Sequence, residues 1–122
     1  NYRKYLAELE NDIIMNQDDK NIINSCWSII IYFKNSKLKT IKNIKTQLIK
    51  KNFFPRPFFY PLTITPAYRK LDKNYKKFKY KNPIAYKTFK KGIVLPSSYI
   101  LKKKQIEKIC KVIIRLVKKE KL

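Results

Sequence analysis

The chain has 122 residues, 44% of them hydrophobic, with a net charge of +22, one glycine and no histidine. This length and apolar content predict a single folded domain with a modest core. The missing histidine excludes Ser-His-Asp catalysis and histidine metal sites, and one glycine is too few for a P-loop or a dinucleotide fingerprint. No pair of carboxylates has a spacing typical of acid–base catalysis, so we assign no catalytic and no metal-binding residue.

The positive charge is distributed unevenly. Lysine supplies 26 of the 30 basic residues, and residues 1–20 carry five acidic and three basic side chains, a local charge of −2. The other 102 residues therefore carry +24. Such a profile is typical of polyanion-binding proteins. An AT-rich genome also favours Lys, Asn, Ile, Tyr and Phe, so composition alone leaves both interpretations open.

Membrane and redox signals point to a cytoplasmic protein. No apolar run is long enough to cross a bilayer, and residues 1–5 lack the apolar core of a signal peptide. Cys26 and Cys110 lie far apart without metal-like spacing. We interpret them as reduced, buried thiols rather than as a disulfide.

In the first half of the chain, hydrophobic spacing predicts an amphipathic helix over residues 2–15. Residues 26–33 are bulky and β-branched, which predicts a buried strand with Trp27 in the core. A second helix is expected to begin after a cap at Asn35-Ser36 and to end at Asn52, which tolerates a left-handed backbone. Its predicted apolar face comprises Leu38, Ile41, Ile44, Leu48 and Ile49.

In the second half, residues 53–60 are predicted to be extended and residues 61–80 to form a loop rich in Lys and Tyr. A short helix over 84–90 and a short strand over 92–96 are expected next. The clearest helix covers 103–119, because its apolar residues recur at helical spacing. This order predicts an α+β fold in which a small antiparallel or mixed sheet is covered by helices.

Segment 56–62 reads Arg-Pro-Phe-Phe-Tyr-Pro-Leu, an arginine and three aromatic residues with two prolines. Each proline fixes its own φ and favours an extended backbone at the preceding residue. The segment can therefore be neither a helix nor a central strand. Stiffly held rings beside one guanidinium suit a surface that binds a flat, anionic ligand, or one that docks onto another domain.

This segment resembles the small-domain signature of the DegT/DnrJ family of sugar aminotransferases, which are pyridoxal-phosphate enzymes acting on nucleotide-linked keto sugars. A second signature follows it, as Asn-Pro-Ile-Ala over 82–85 and Lys-Gly-Ile-Val-Leu-Pro-Ser-Ser over 91–98. The first segment is most similar to the perosamine-synthase-like subgroup. The resemblance extends over nearly the whole chain.

The resemblance implies that residues 1–122 form the C-terminal small domain of a fold-type I aminotransferase. The Schiff-base lysine would then belong to an N-terminal large domain that is absent from this chain. The resemblance also implies pyridoxal phosphate and a homodimer in the intact enzyme, and a role in amino-sugar synthesis for surface polysaccharide. The chain alone is expected to bind no cofactor and to be inactive.

The resemblance further implies that the extended segment lines the substrate cleft. Arg56 would bind the substrate diphosphate or the donor carboxylate, since both suit a bidentate guanidinium. Phe58, Phe59 and Tyr60 would pack on sugar or base, and Thr63 would donate a hydrogen bond. Alternatively, the rings fill an interdomain contact and Arg56 pairs with a large-domain carboxylate.

A different class of function stays open, that of a small basic nucleic-acid-binding protein. Its support is the run from Lys73 to Lys81, in which Tyr75, Phe78 and Tyr80 alternate with lysines. Lysines would bind phosphates there, and the rings would stack on bases.

Overall fold

A four-stranded antiparallel sheet organises the fold in the computed structural model, which describes residues 1–17, 19–71 and 81–121. The strands lie in the order β1-β2-β4-β3, so the last two exchange places relative to the sequence. Pairing is antiparallel throughout, with Ile13 opposite Phe33 and Ile31 opposite Ile93. The strands are β1 (Ile13–Met15), β2 (Ile29–Phe33), β3 (Arg56–Pro57) and β4 (Gly92–Leu95).

Helices cover one face of this sheet. Helix α5 packs against both α1 and α2. The predicted α+β fold with a small antiparallel sheet and covering helices is thus confirmed. The helices are α1 (Tyr2–Leu6), α2 (Leu38–Ile49), α3 (Pro66–Leu71), α4 (Pro83–Lys91) and α5 (Lys103–Lys121), and short 3-10 turns lie at Ala7–Leu9 and Leu62–Ile64.

None of the helices in the described ranges is long and apolar enough to cross a bilayer.

The core lies between this sheet face and the helices. Ile31, Phe33 and Ile93 are fully buried within it, and they alternate along β2 and β4 with residues that do not belong to it. Val94 is one of these others. Because side chains alternate between the faces of a strand, Val94 lies on the opposite face of the sheet. From the helices the core receives Leu6, Ile41, Ile44, Leu48, Ile109, Ile113 and Val117.

Helix α2 ends as the sequence predicts and begins differently. Asn52 has φ of 60°, the left-handed conformation expected of it, and the Phe53 N–H donates to the Leu48 carbonyl oxygen at 2.9 Å. The N-cap, however, is Lys37 rather than Asn35-Ser36, and no side chain caps it locally. The Lys37 N–H instead donates to Glu120 of α5 at 2.6 Å. The capping carboxylate thus belongs to a residue 83 positions away, so local sequence patterns could not predict it.

The predicted helix over residues 2–15 was too long. Helix α1 ends at Leu6, and after a 3-10 turn the chain enters β1 at Ile13. The change of direction is fixed at Asp12, whose carbonyl oxygen accepts the Lys34 N–H at 2.8 Å. Its carboxylate is largely buried and pairs with Lys121 at 2.7 Å. These long-range contacts outweigh the local helical spacing.

Two other expectations are corrected. The strand predicted over 26–33 begins only at Ile29, and Trp27 is 75% exposed rather than in the core. The loop predicted over 61–80 contains a 3-10 turn and helix α3 within its described part. Residues 72–80 lie outside the described residues.

Both cysteines are free thiols, as predicted, but they differ in environment. Cys110 is buried in the core, and burial raises the pKa of its thiol to about 12. Its thiol therefore stays protonated near neutral pH. Cys26 is exposed, so the expectation of two buried thiols is wrong for this residue.

Candidate functional site

The segment that begins at Arg56 lies at the edge of the sheet. Strand β3 is only two residues long, and it pairs Arg56 with Val94 and Pro57 with Ile93. A proline has no N–H for a ladder, which is tolerated on an edge strand. The strand begins four residues after Asn52, whose left-handed backbone ends α2. The end of α2 and the edge of β4 therefore position Arg56 together.

Arg56 lines a shallow groove of about 390 Å³ on the sheet face opposite the core. Two large rings in this groove are exposed to solvent, Trp27 to 75% and Phe54 to 66%. Among the described residues, no carboxylate pairs with Arg56, so its charge is available to a ligand. The groove is lined by Trp27, Phe54, Arg56, Pro96, Ser97 and Ser98, among others.

The loop after β4 supplies the hydroxyl groups of this groove. Ser97 and Ser98 follow Pro96 at the end of the strand, and the Ser97 hydroxyl donates a long hydrogen bond of 3.5 Å to the Trp27 carbonyl oxygen. Both serines are exposed. The groove thus combines one guanidinium, two hydroxyls and two aromatic rings, a set suited to an anion attached to a flat or sugar-like group.

Phe58 and Tyr60 lie in a different pocket, of about 240 Å³, between β3, α2 and α4. The Tyr60 ring centroid is 5.5 Å from that of Phe89 on α4. Three lysines also line this pocket, and burial lowers the pKa of one of them, Lys45. They are Lys42, Lys45 and Lys90.

Phe58 also explains the position of the single glycine. A Cβ atom added at Gly92 would lie 2.7 Å from Cγ of Phe58, closer than non-bonded carbons approach. Only glycine lets the Phe58 ring pack this tightly on β4. This contact holds the segment after β3 against the sheet.

Thr63 is already hydrogen-bonded within the domain. Its Oγ1 lies 2.8 Å from the Tyr86 hydroxyl, and the Tyr86 ring packs edge-on against Phe89 at 6.3 Å. Phe59 packs against Phe58 at 5.7 Å and remains 58% exposed. Either hydroxyl can be the donor in this bond, so Thr63 can donate to a ligand while Tyr86 donates to Thr63.

The structure therefore separates the five residues that the sequence grouped into one binding surface. Arg56 lines the groove, Phe58 and Tyr60 line the second pocket, Phe59 lies at the surface, and Thr63 bonds to α4. Trp27 and Phe54 join Arg56 in the groove, although no sequence pattern predicted their position there. Their exposure as large rings beside a cation becomes visible only in the structure.

The described residues thus form a small antiparallel sheet with helices on one face and, on the other, a groove that offers a guanidinium and two hydroxyl groups. The chain belongs to the DegT/DnrJ/EryC1/StrS aminotransferase family, whose model matches residues 1–114. No curated protein sequence is significantly similar to it.

Solved structures share the fold. Spr1654 from Streptococcus pneumoniae, described as a sugar aminotransferase, matches in its apo form with a TM-score of 0.75 at 21% identity, over 98% of this chain and 30% of that one. PseC from Helicobacter pylori, an aminotransferase of pseudoaminic acid biosynthesis, matches with a TM-score of 0.73 at 15% identity, over 97% and 30%. A family member from Brucella abortus matches with a TM-score of 0.65 at 17% identity, over 93% and 28%.

The chain thus spans about 30% of the length of these structures. Spr1654 has also been solved in forms with pyridoxal phosphate and with pyridoxamine phosphate. These cofactor forms support pyridoxal phosphate as the cofactor of intact family enzymes.

Proposed function

We propose that this chain is the C-terminal small domain of a pyridoxal-phosphate-dependent aminotransferase acting on a nucleotide-linked keto sugar. The main support for the proposal is that nearly all of this chain aligns with less than a third of each solved aminotransferase. Segment 56–62 supports the finer assignment to the perosamine-synthase-like subgroup. The enzyme would act in the cytoplasm as a homodimer and make amino sugars for surface polysaccharide.

In this function the Arg56 groove faces the large domain. Trp27 and Phe54 expose apolar rings at its margin, and a second domain that covered them would remove that surface from water. Covering the groove would also lower the local dielectric around Arg56, which strengthens its attraction for a diphosphate or a carboxylate. Arg56 is thus the anion contact, and Ser97 and Ser98 offer hydroxyl donors beside it.

Phe58 and Tyr60 have a different role in this proposal. Their rings pack on α2 and α4 and hold the segment that follows Arg56. In this proposal Phe58 and Tyr60 would contact a substrate only at the edge of their pocket, where that edge meets the large domain. Phe59 and Tyr60 are both exposed, to 58% and 56%. Phe59 lies outside the pocket that Tyr60 lines, so it is the ring best placed to pack on sugar or base.

The described residues do not fit pyridoxal phosphate by themselves. Bound cofactor would supply the electron sink for amino-group transfer, and it needs a lysine for its aldehyde and an acid for its ring nitrogen. Lys45, whose pKa burial lowers, lies in a pocket lined by aromatic and basic side chains and no carboxylate. The lysine and the acid would therefore come from the large domain.

Labelling with the cofactor tests this division of roles. The purified chain is mixed with pyridoxal phosphate, reduced with borohydride, and mapped by mass spectrometry of peptides. We expect sparse modification spread over many surface lysines, and the same pattern in a Lys45→Arg variant apart from position 45. One cofactor per chain, fixed to a single lysine, would instead place the chemistry in this domain and refute the proposal.

A further inference from the structure

The helical layer of this domain is strongly basic. Helix α5 contains eight basic and two acidic residues, and α2 with the two residues after it contains five lysines and no acid. The two helices pack side by side on the sheet face away from the Arg56 groove. Positive charge and the proposed substrate groove are therefore on opposite sides of the domain.

A groove of about 510 Å³ lies where the end of α2 meets α5. Its floor is formed by the apolar side chains of Phe53 and Val112, which are only 9% and 5% exposed. Four cations surround this floor. They are Lys51, Lys108, Lys111 and Arg115.

Three of these cations follow the α5 axis. Residues at i, i+3 and i+7 share one helix face, and at 1.5 Å per residue Lys108, Lys111 and Arg115 cover about 10 Å. One strand of duplex DNA carries a phosphate about every 3.4 Å along its axis, so this row faces about three phosphates. Lys51 extends the charge across the groove from the other helix.

Few carboxylates in the described ranges lie close enough to neutralise the four cations of this groove. Lys111 pairs with Glu107 at 2.7 Å, on an exposed i, i+4 contact. In the described ranges, the other three cations of the groove have no carboxylate partner. A solvent-exposed pair such as Lys111–Glu107 contributes little, so it leaves the groove strongly positive.

From these observations we infer that the groove between the end of α2 and α5 binds the phosphodiester backbone of a nucleic acid without sequence preference. The concave shape favours this ligand over an anionic bilayer, because a backbone forms a ridge that enters a groove and a membrane is flat. Helices α2 and α5 contain no aromatic residue that would insert into lipid, and exposed rings such as Trp27 and Phe59 lie elsewhere. Lysine contacts phosphates as a point charge, which suits binding without base readout.

The test compares two double variants with the same loss of charge. Lys108→Gln with Arg115→Gln alters the groove, whereas Lys20→Gln with Lys87→Gln removes two exposed lysines that do not line it. Binding of a fluorescent DNA duplex oligonucleotide is followed by anisotropy over a range of NaCl concentrations. Circular dichroism and thermal unfolding check that each variant keeps the fold.

Two lost phosphate contacts should make the slope of log K against log salt less steep by about 1.8, which is about 60-fold in affinity at ~0.1 M salt. The control should stay within about twofold of the unchanged chain. Equal losses in both variants would show that binding follows net charge and would overturn the inference. So would binding to phosphatidylserine vesicles by a chain that does not bind the oligonucleotide.

Discussion

Replacing Phe33 by alanine is expected to lower the free energy of unfolding by about 3–5 kcal/mol. Phe33 is fully buried, lies opposite Ile13 of β1, and belongs to the core between sheet and helices. Removal of its ring leaves a cavity in the core between the sheet and the helices. A domain of this size is stable by about 5–15 kcal/mol, so the variant would lose a large part of its stability. Urea unfolding measures the difference.

Phe54→Ala is the matched control for this prediction. The same atoms are removed from a ring that is 66% exposed, so the expected loss is about 0.5 kcal/mol or less. If Phe33→Ala cost no more than this control, the placement of β2 in the core would be wrong.

Arg56→Gln is expected to lower kcat/KM for the nucleotide-linked sugar by about 10- to 100-fold in the assembled enzyme, meaning this chain joined to its large domain. A hydrogen bond to a charged group contributes about 1.5–3 kcal/mol, and the difference in kcat/KM reports its loss. Glutamine keeps a hydrogen-bonding side chain and removes the charge and the bidentate geometry. Steady-state kinetics at varied sugar concentration provide the measurement.

Arg115→Gln is the control for Arg56→Gln, because it makes the same chemical change on helix α5, far from the Arg56 groove in the fold. Its kcat/KM should match that of the unchanged enzyme. Equal kcat/KM for both variants would exclude Arg56 as the anion contact.

Local patterns predicted those elements whose stability is mainly local. The apolar repeat of α5 and the left-handed Asn52 were both readable from spacing and residue type, and both are present. The end of α1 was not readable, since it depends on Asp12 bonding to Lys34 and Lys121. Glu120 caps α2 for the same kind of reason. Contacts over such distances leave no periodic signal.

The candidate site shows a similar division. The sequence identified segment 56–62 as unusual, but neighbours in sequence do not share a surface once an edge strand ends after two residues. Arg56 then meets Trp27 and Ser97, which come from two distant loops. Tyr60 meets Phe89 of α4 instead. Which residues join Arg56 depends on strand order, and the β1-β2-β4-β3 order cannot be deduced from any one segment.

In the proposed function, this chain completes an aminotransferase whose cofactor chemistry lies in another domain. To test this, the coding region that precedes Asn1 is joined to that of this chain, and amino-group transfer to a nucleotide-linked keto sugar is followed by cofactor absorbance. We predict transfer by the joined protein, and none by this chain or by the large domain alone. Full activity of the large domain without this chain, or a preceding region that encodes no pyridoxal-phosphate domain, would contradict the claim.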